Sequence, residues 1–289
     1  MGMKVAVMVD SNSGIMSKEG EKMGVFVVPM PVIIDGETYY EGVNLTLDSF
    51  FEYLIGGRHV TTSQPSPGDL VDKWEEVLKS GYDEIIYIPM SSGLSDSCAT
   101  ATMLAADFDG KVQVADNHRI SVPQYGSVLD ALKLAAEGKN ALQIKEALEE
   151  TAFDCSIYIS VDTLEFLKRG GRVTPAAAAI GKVLNIKPIL TIQGDVLEAF
   201  AKVRGTKKGR AKIIESIRKD LNTRFGKEDP ANIRIATAGT FRNPDDAENW
   251  RQEVEDNFPG FSVIYFDLGC SVGTHTGPEA FAAGIYKSL

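Results

Sequence analysis

Histidine, cysteine and tryptophan are scarce in this 289-residue chain, which has three, three and two of them. Cys98, Cys155 and Cys270 are odd in number and far apart, with no CxxC pair and no histidine at metal-ligand spacing. A disulfide framework and a zinc site are both excluded on that pattern, and no metal or cofactor is expected. The three thiols read as buried side chains in a reducing, cytoplasmic setting. Long apolar runs are missing as well: no stretch approaches the roughly 20 residues that cross a bilayer, and MGMKVAVMVD enters a strand pattern without signal-peptide features. Positive charge is in deficit, 30 Lys and Arg against 40 Asp and Glu for a net charge of −10. That sign argues against a nucleic-acid partner and leaves at most transient contact with a membrane. The one basic run, KKGRAK at 207–212, is read equally well as a solvated helix face or as part of an anion site.

What is present is a globular composition, 44% hydrophobic and 24% charged. At this length two domains are expected, with the boundary near residue 153: a lobe over 1–153 and a second over 154–289. KVAVMVD (4–10) and EIIYIPM (84–90) are nearly continuous apolar runs, as in strands buried on both faces of a parallel sheet, and VQVAD (112–116) is a shorter one. Helical periodicity over 67–81, 95–108 and 125–138 alternates with them, so the first lobe is predicted as α/β with a mostly parallel sheet. The second lobe is predicted as α+β with a mixed or antiparallel sheet. Its strands are expected over 155–161, 187–203, 233–239 and 262–269, and its helices over 176–184, 207–225 and 244–258. The 187–203 stretch turns at Gly194 and Asp195 and requires an antiparallel hairpin.

In open α/β sheets ligands bind beyond the carboxyl ends of the strands. Here those loops are rich in hydroxyls: DSNSG after the first strand, TTSQPSPGD at 61–69, and SSGLSDS at 91–97 leading into a helix. Helix N-termini and hydroxyl donors together suit a carboxylate or phosphate, although any one such loop has the ordinary alternative of being a helix cap. GLSDS also resembles a G-x-S-x-G nucleophile elbow with Ser97 in place of the last glycine; with His275 far downstream, a serine esterase using Ser95 and His275 is the alternative reading. His59 and His118 read as surface loop residues. His275 lies among glycines in SVGTHTGPEAFAAG, where the glycines suggest close backbone approach to a ligand. Glu279, four residues on, is placed to raise the histidine pKa.

In the second lobe Ala176 to Ala179, Ile180, Val183, Leu184 and Ile186 form an almost uncharged segment, read as a core helix or as the wall of an apolar ligand site. Arg172 and Arg204 flank it and are suited to holding an anion.

The motifs VDSNSG, TSQPSPGD, PMSSGLSDSCATA, LEFLKRGGRV with IGKVLNIKPIL, KVRGTKKG and GTHTGP run in order along the whole chain. Together they resemble the DegV family, bacterial fatty-acid-binding proteins that include the FakB subunits of fatty acid kinase. The resemblance implies a long-chain fatty acid in an apolar tunnel, its carboxylate at the lobe interface held by Thr62 or Ser63, Ser92, Thr274 and His275. It implies that the protein is no enzyme itself but presents the acid to a separate, dihydroxyacetone-kinase-like subunit that forms the acyl phosphate. Arg172, Arg204 and His275 would then serve phosphoryl transfer or partner docking. The chain departs from the pattern at Gly14, Ser97, Cys98 and Glu279.

Overall fold

Alternating buried residues on the first strand build a three-layer arrangement. In the computed structural model, which describes residues 3–174, 186–194 and 196–289, β1 (Val5–Asp10) pairs in parallel with β2 (Val25–Val28) and β6 (Glu84–Ile88). With β7 (Val112–Val114) on β6 the order is β2-β1-β6-β7, all parallel. Val7 and Val9 pack beneath α5 (Ser121–Ala136) and α6 (Ala141–Glu150), among Val128, Ala131, Ile144 and Leu148. Ala6 and Met8 face α3 (Pro67–Lys79) and α4 (Ser97–Ala105), among Trp74, Val77, Cys98 and Ala101. Both faces of the sheet are therefore covered, which is why its strands are apolar without interruption.

The chain leaves β1 toward β2 on one side and returns to β6 on the other. The reversal opens a crevice at the carboxyl ends of β1 and β6, the topological switch point of such sheets.

The first lobe also carries elements that periodicity did not reveal. β3 (Pro31–Ile34), β4 (Glu37–Tyr40) and β5 (Val60–Thr62) form an antiparallel sheet in the order β4-β3-β5, followed on its core side by α2 (Leu47–Ile55). The turn is Asp35-Gly36, with φ of +50° and +90°, the Asp-Gly pair that a two-residue hairpin favours.

Past α6 the chain enters a six-stranded mixed sheet, order β10-β9-β8-β13-β11-β12. Its strands are β8 (Cys155–Ser160), β9 (Ile186–Ile192), β10 (Glu198–Arg204), β11 (Ile233–Gly239), β12 (Ile264–Asp267) and β13 (Phe281–Lys287). The hairpin β9–β10 is antiparallel, as the turn chemistry required, and only β11–β12 is parallel. The helix expected over 176–184 and the turn residue Asp195 lie outside the described residues. α7 (Glu165–Gly170) precedes that gap; α8 (Thr206–Asn222), α9 (Pro244–Asn257) and α10 (Cys270–Thr276) follow it.

Period-two alternation gives this sheet two different faces. Tyr158, Ile189, Phe281, Ala283 and Ile285 pack against Ile213, Ile217 and Trp250 of α8 and α9. Ile157, Ile159, Leu190, Ala236, Ala238 and Ala282 face the first lobe, where Met30, Met90, Leu94, Ile120 and Val122 complete one continuous core. The lobes thus share an apolar layer, and its small sheet residues leave room within it.

Candidate functional site

That room is a cavity between the switch point of the first lobe and the inner face of the six-stranded sheet. Its interior offers about 90 Å³ to the centres of water-sized spheres, several times the roughly 10–15 Å³ that one water occupies on that measure. Ile157, Ile159, Ile192, Leu268 and Ala282 line one side; Met30, Met90, Leu94 and Ile120 line the other.

α10 brings the polar end of the wall. Its helical spacing turns Ser271, Val272, His275 and Thr276 to the cavity, while Cys270 and Gly273 sit against the Phe50 and Phe51 rings of α2. His275 Nε2 lies 2.8 Å from Thr62 Oγ1 at the end of β5. Nδ1 is buried without a hydrogen-bond partner among the described residues. Burial, reinforced by the Arg172 and Arg169 cations, lowers the imidazole pKa to about 4, so the ring is neutral near pH 7.

One expectation about His275 is corrected here. Glu279 does not raise its pKa: Gly277, at φ +74°, ends α10 after Thr276, so an i,i+4 pair with Glu279 on one helix face does not form. Two of the surrounding glycines have roles within the fold. Gly273 lets Phe50 pack onto α10, where an added Cβ would sit 3.0 Å from the ring, and Gly277 caps the helix.

The other sequence-selected residues divide. Ser63 lines the cavity mouth, its hydroxyl donating to the Gln64 carbonyl at 3.0 Å. Arg172 lines the mouth too, with Nε donating to the Leu94 carbonyl at 3.3 Å and a guanidinium NH to that of Gly170. Ser92 is not part of the cavity wall. It lies in an adjoining surface groove with Gly93, Asp96 and Gly171, reached from the cavity across Leu94, Ser95 and Arg172. Thr274 faces away, buried, with its hydroxyl donating to the Cys270 carbonyl at 2.8 Å. Arg204 is exposed at the end of the edge strand β10 and lines neither space. His59 is exposed; His118 stacks on Phe153 at 5.0 Å.

The esterase arrangement is not assembled. His275 Nε2 is engaged by Thr62, its Nδ1 has no carboxylate to orient it among the described residues, and Ser95 Oγ accepts from the Ser97 amide at 3.2 Å. Ser66, in turn, is a cap, accepting from the Asp69 amide with Pro67 in the first turn. All three cysteines are buried and free. Among the described residues no cluster of His, Cys, Asp and Glu is placed to hold a metal, and no helix is long and apolar enough to cross a membrane.

Sequence reasoning missed two carboxylates that frame the cavity. Asp10, fully buried, accepts from the Met90 amide at 2.7 Å, the Asn12 amide at 3.1 Å and Gln124 Nε2 at 3.1 Å. Glu41 accepts from Ser11 Oγ at 2.9 Å and from the Cys270 amide that opens α10; Ser11 Oγ in turn accepts from the Met30 amide at 3.0 Å. Burial raises Asp10 to about 6 and Glu41 to about 7. Together they tie Asn12, Met30, Met90 and α10, four parts of the cavity wall, to one polar hub. Nothing local in YYEG distinguishes Glu41; its role depends on a contact 229 residues away. Gly170, the last residue of α7, meets a demand beyond ending a helix. An added Cβ there would lie 2.0 Å from His275 Nδ1, so glycine is required for the imidazole to occupy its place.

Fold and cavity together define an α/β protein with a parallel-sheet N-terminal part, a mixed-sheet C-terminal part and an apolar cavity between the two sheets. A family model described as "Uncharacterised protein, DegV family" matches residues 4–288, and the chain belongs to the DegV family. A DegV domain-containing protein of Deinococcus radiodurans is 30% identical over 285 residues, 98% of each chain. Among solved structures, a DegV family protein of Thermus thermophilus described by its fatty acid binding superposes with a TM-score of 0.87 at 32% identity, covering 99% of this chain and 100% of that one. Bacillus subtilis DegV, described as a fatty acid binding protein, gives 0.82 at 31% identity with the same coverage.

Proposed function

We propose that this protein carries a long-chain fatty acid, its tail in the interlobe cavity and its carboxylate at the Thr62–His275 end, and presents it to a separate kinase subunit for conversion to an acyl phosphate. The observation that carries the reading is the cavity itself: a wall of aliphatic side chains ending in a hydroxyl, a neutral imidazole and an arginine at the mouth. Each methylene buried there contributes about 0.8 kcal/mol, so a long tail supplies ample affinity. A carboxylate leaving water needs hydrogen bonds, and Thr62, Ser63 and His275 offer them without burying a second formal charge. The fatty acid binding ascribed to the two DegV structures above supports the same reading.

Mass spectrometry of lipid extracted from the purified protein tests the carrier function. A copurifying or exchangeable acyl chain is expected, and its absence rejects the proposal. The kinase partnership is tested separately. Pulldown from lysate should retain a dihydroxyacetone-kinase-like subunit, and His275→Ala should lower acyl phosphate formation more than fatty acid binding. The opposite ranking removes His275 from phosphoryl transfer.

A further inference from the structure

The cavity wall contains polar groups that a saturated tail cannot satisfy. Asn12 is 3% exposed; its Nδ2 meets Met90 Sδ at 3.0 Å and its Oδ1 has no hydrogen-bond partner among the described residues. Ser121 and Ser271, both buried, line the same wall and add two hydroxyl-bearing side chains to it. Elsewhere on the wall Thr62 pairs with His275 Nε2, Gln64 Oε1 with Thr100 and Thr276 with the Val272 carbonyl, while His275 Nδ1 is a further unpaired atom among the described residues.

Asn12, Ser121 and Ser271 come from one neighbourhood. Ser11, adjoining Asn12, is joined through Glu41 to Cys270, adjoining Ser271. Gln124, one turn beyond Ser121, donates to Asp10 at 3.1 Å, two residues before Asn12. Ser271 precedes His275 by one helical turn, about 6 Å along α10, so this neighbourhood lies a short way in from the carboxylate end.

An unpaired amide in an apolar wall is costly, and such groups in a native protein call for a bound partner. We infer that Asn12, Ser121 and Ser271 form a second polar station that receives a hydroxyl a few carbons from the ligand's carboxylate, making hydroxylated long-chain acids the preferred ligand class. This rests on the fatty acid carrier function proposed above. An acyl hydroxyl donates to Asn12 Oδ1 and exchanges hydrogen bonds with the serines; an unsubstituted chain leaves the station to a trapped water.

Competitive titration of a fluorescent fatty acid with hexadecanoic and 3-hydroxyhexadecanoic acid tests it. The hydroxy acid is expected to bind about tenfold tighter to the native protein, with that ratio falling toward one in Asn12→Leu and in Ser271→Ala, which disturbs packing less. Equal or weaker binding of the hydroxy acid to the native protein means that the station holds water only and overturns the inference, as does a preference that survives both substitutions. Failure of both acids to bind removes the carrier function itself.

Discussion

Replacing Gly170 with alanine sets local propensity against tertiary packing. Gly170 ends α7 with ordinary helical geometry, so alanine there gains about 1 kcal/mol of helix propensity. The new methyl, however, would stand 2.0 Å from His275 Nδ1 and 2.7 Å from its Cε1. Carbon and nitrogen atoms settle at roughly 3.5–4.0 Å, so the ring must retreat by about 1.5–2 Å. That displacement breaks the 2.8 Å contact with Thr62. The lost hydrogen bond costs about 1 kcal/mol and the overpacking about 1–3 kcal/mol, giving a net destabilisation of about 1–3 kcal/mol after the propensity gain. Fatty acid affinity should fall about tenfold, because the Thr62–His275 pair no longer meets the carboxylate as a unit. Urea denaturation and displacement of a fluorescent fatty acid measure the two effects. Gly171→Ala is the contrast: at φ +69° with open space around it, alanine there costs about 1–2 kcal/mol through backbone strain and leaves the His275 ring in place. A Gly170→Ala protein that is more stable than the native one with undiminished affinity would refute the reasoning, since propensity alone would then govern the position.

Two further outcomes follow from the cavity wall. Glu41, raised from 4.5 to about 7 by burial, favours its protonated form in the folded state; its contribution is complete below pH 4.5 and is lost as pH rises through 7. Glu41→Gln should therefore become more stable relative to the native protein between pH 5 and pH 8, by on the order of 1–3 kcal/mol in urea titrations, and a pH-independent difference would contradict the assignment. His275 runs the other way: lowered from 6.5 to about 4, it contributes above pH 6.5 and loses that contribution as pH falls through 4, a range that overlaps the Glu41 window between pH 5 and 6.5 but cancels in the comparison because both proteins carry His275. Ala282→Leu places three carbons in the cavity from β13, and long-chain affinity should fall by ten- to hundredfold as the tail is excluded. Unchanged affinity for long chains would mean that the tail runs elsewhere.

The sequence by itself determined the layers. Continuous apolar runs at Val5–Asp10 and Glu84–Ile88 specified strands covered on both faces, and turn chemistry at Gly194 specified an antiparallel hairpin, because period and turn residues are local properties of the chain. Motif order was enough to find Thr62, Ser63, Arg172 and His275, all of which line the cavity. The antiparallel sheet around Asp35-Gly36 was legible in the same way and went unread. Tertiary structure decided the rest. Ser92 and Thr274 sit within a few residues of cavity-lining positions, yet the turn after β6 and the rotation of α10 carry them out of the wall. Glu41, Asp10, Asn12 and Gly170 owe their roles to groups distant in the chain: the Cys270 amide, the Gln124 amide, the Met90 sulfur and the His275 ring. The pKa of His275 was settled by Arg172, Arg169 and burial rather than by the nearby Glu279, since charge and desolvation act through space and the helix between them ends at Gly277.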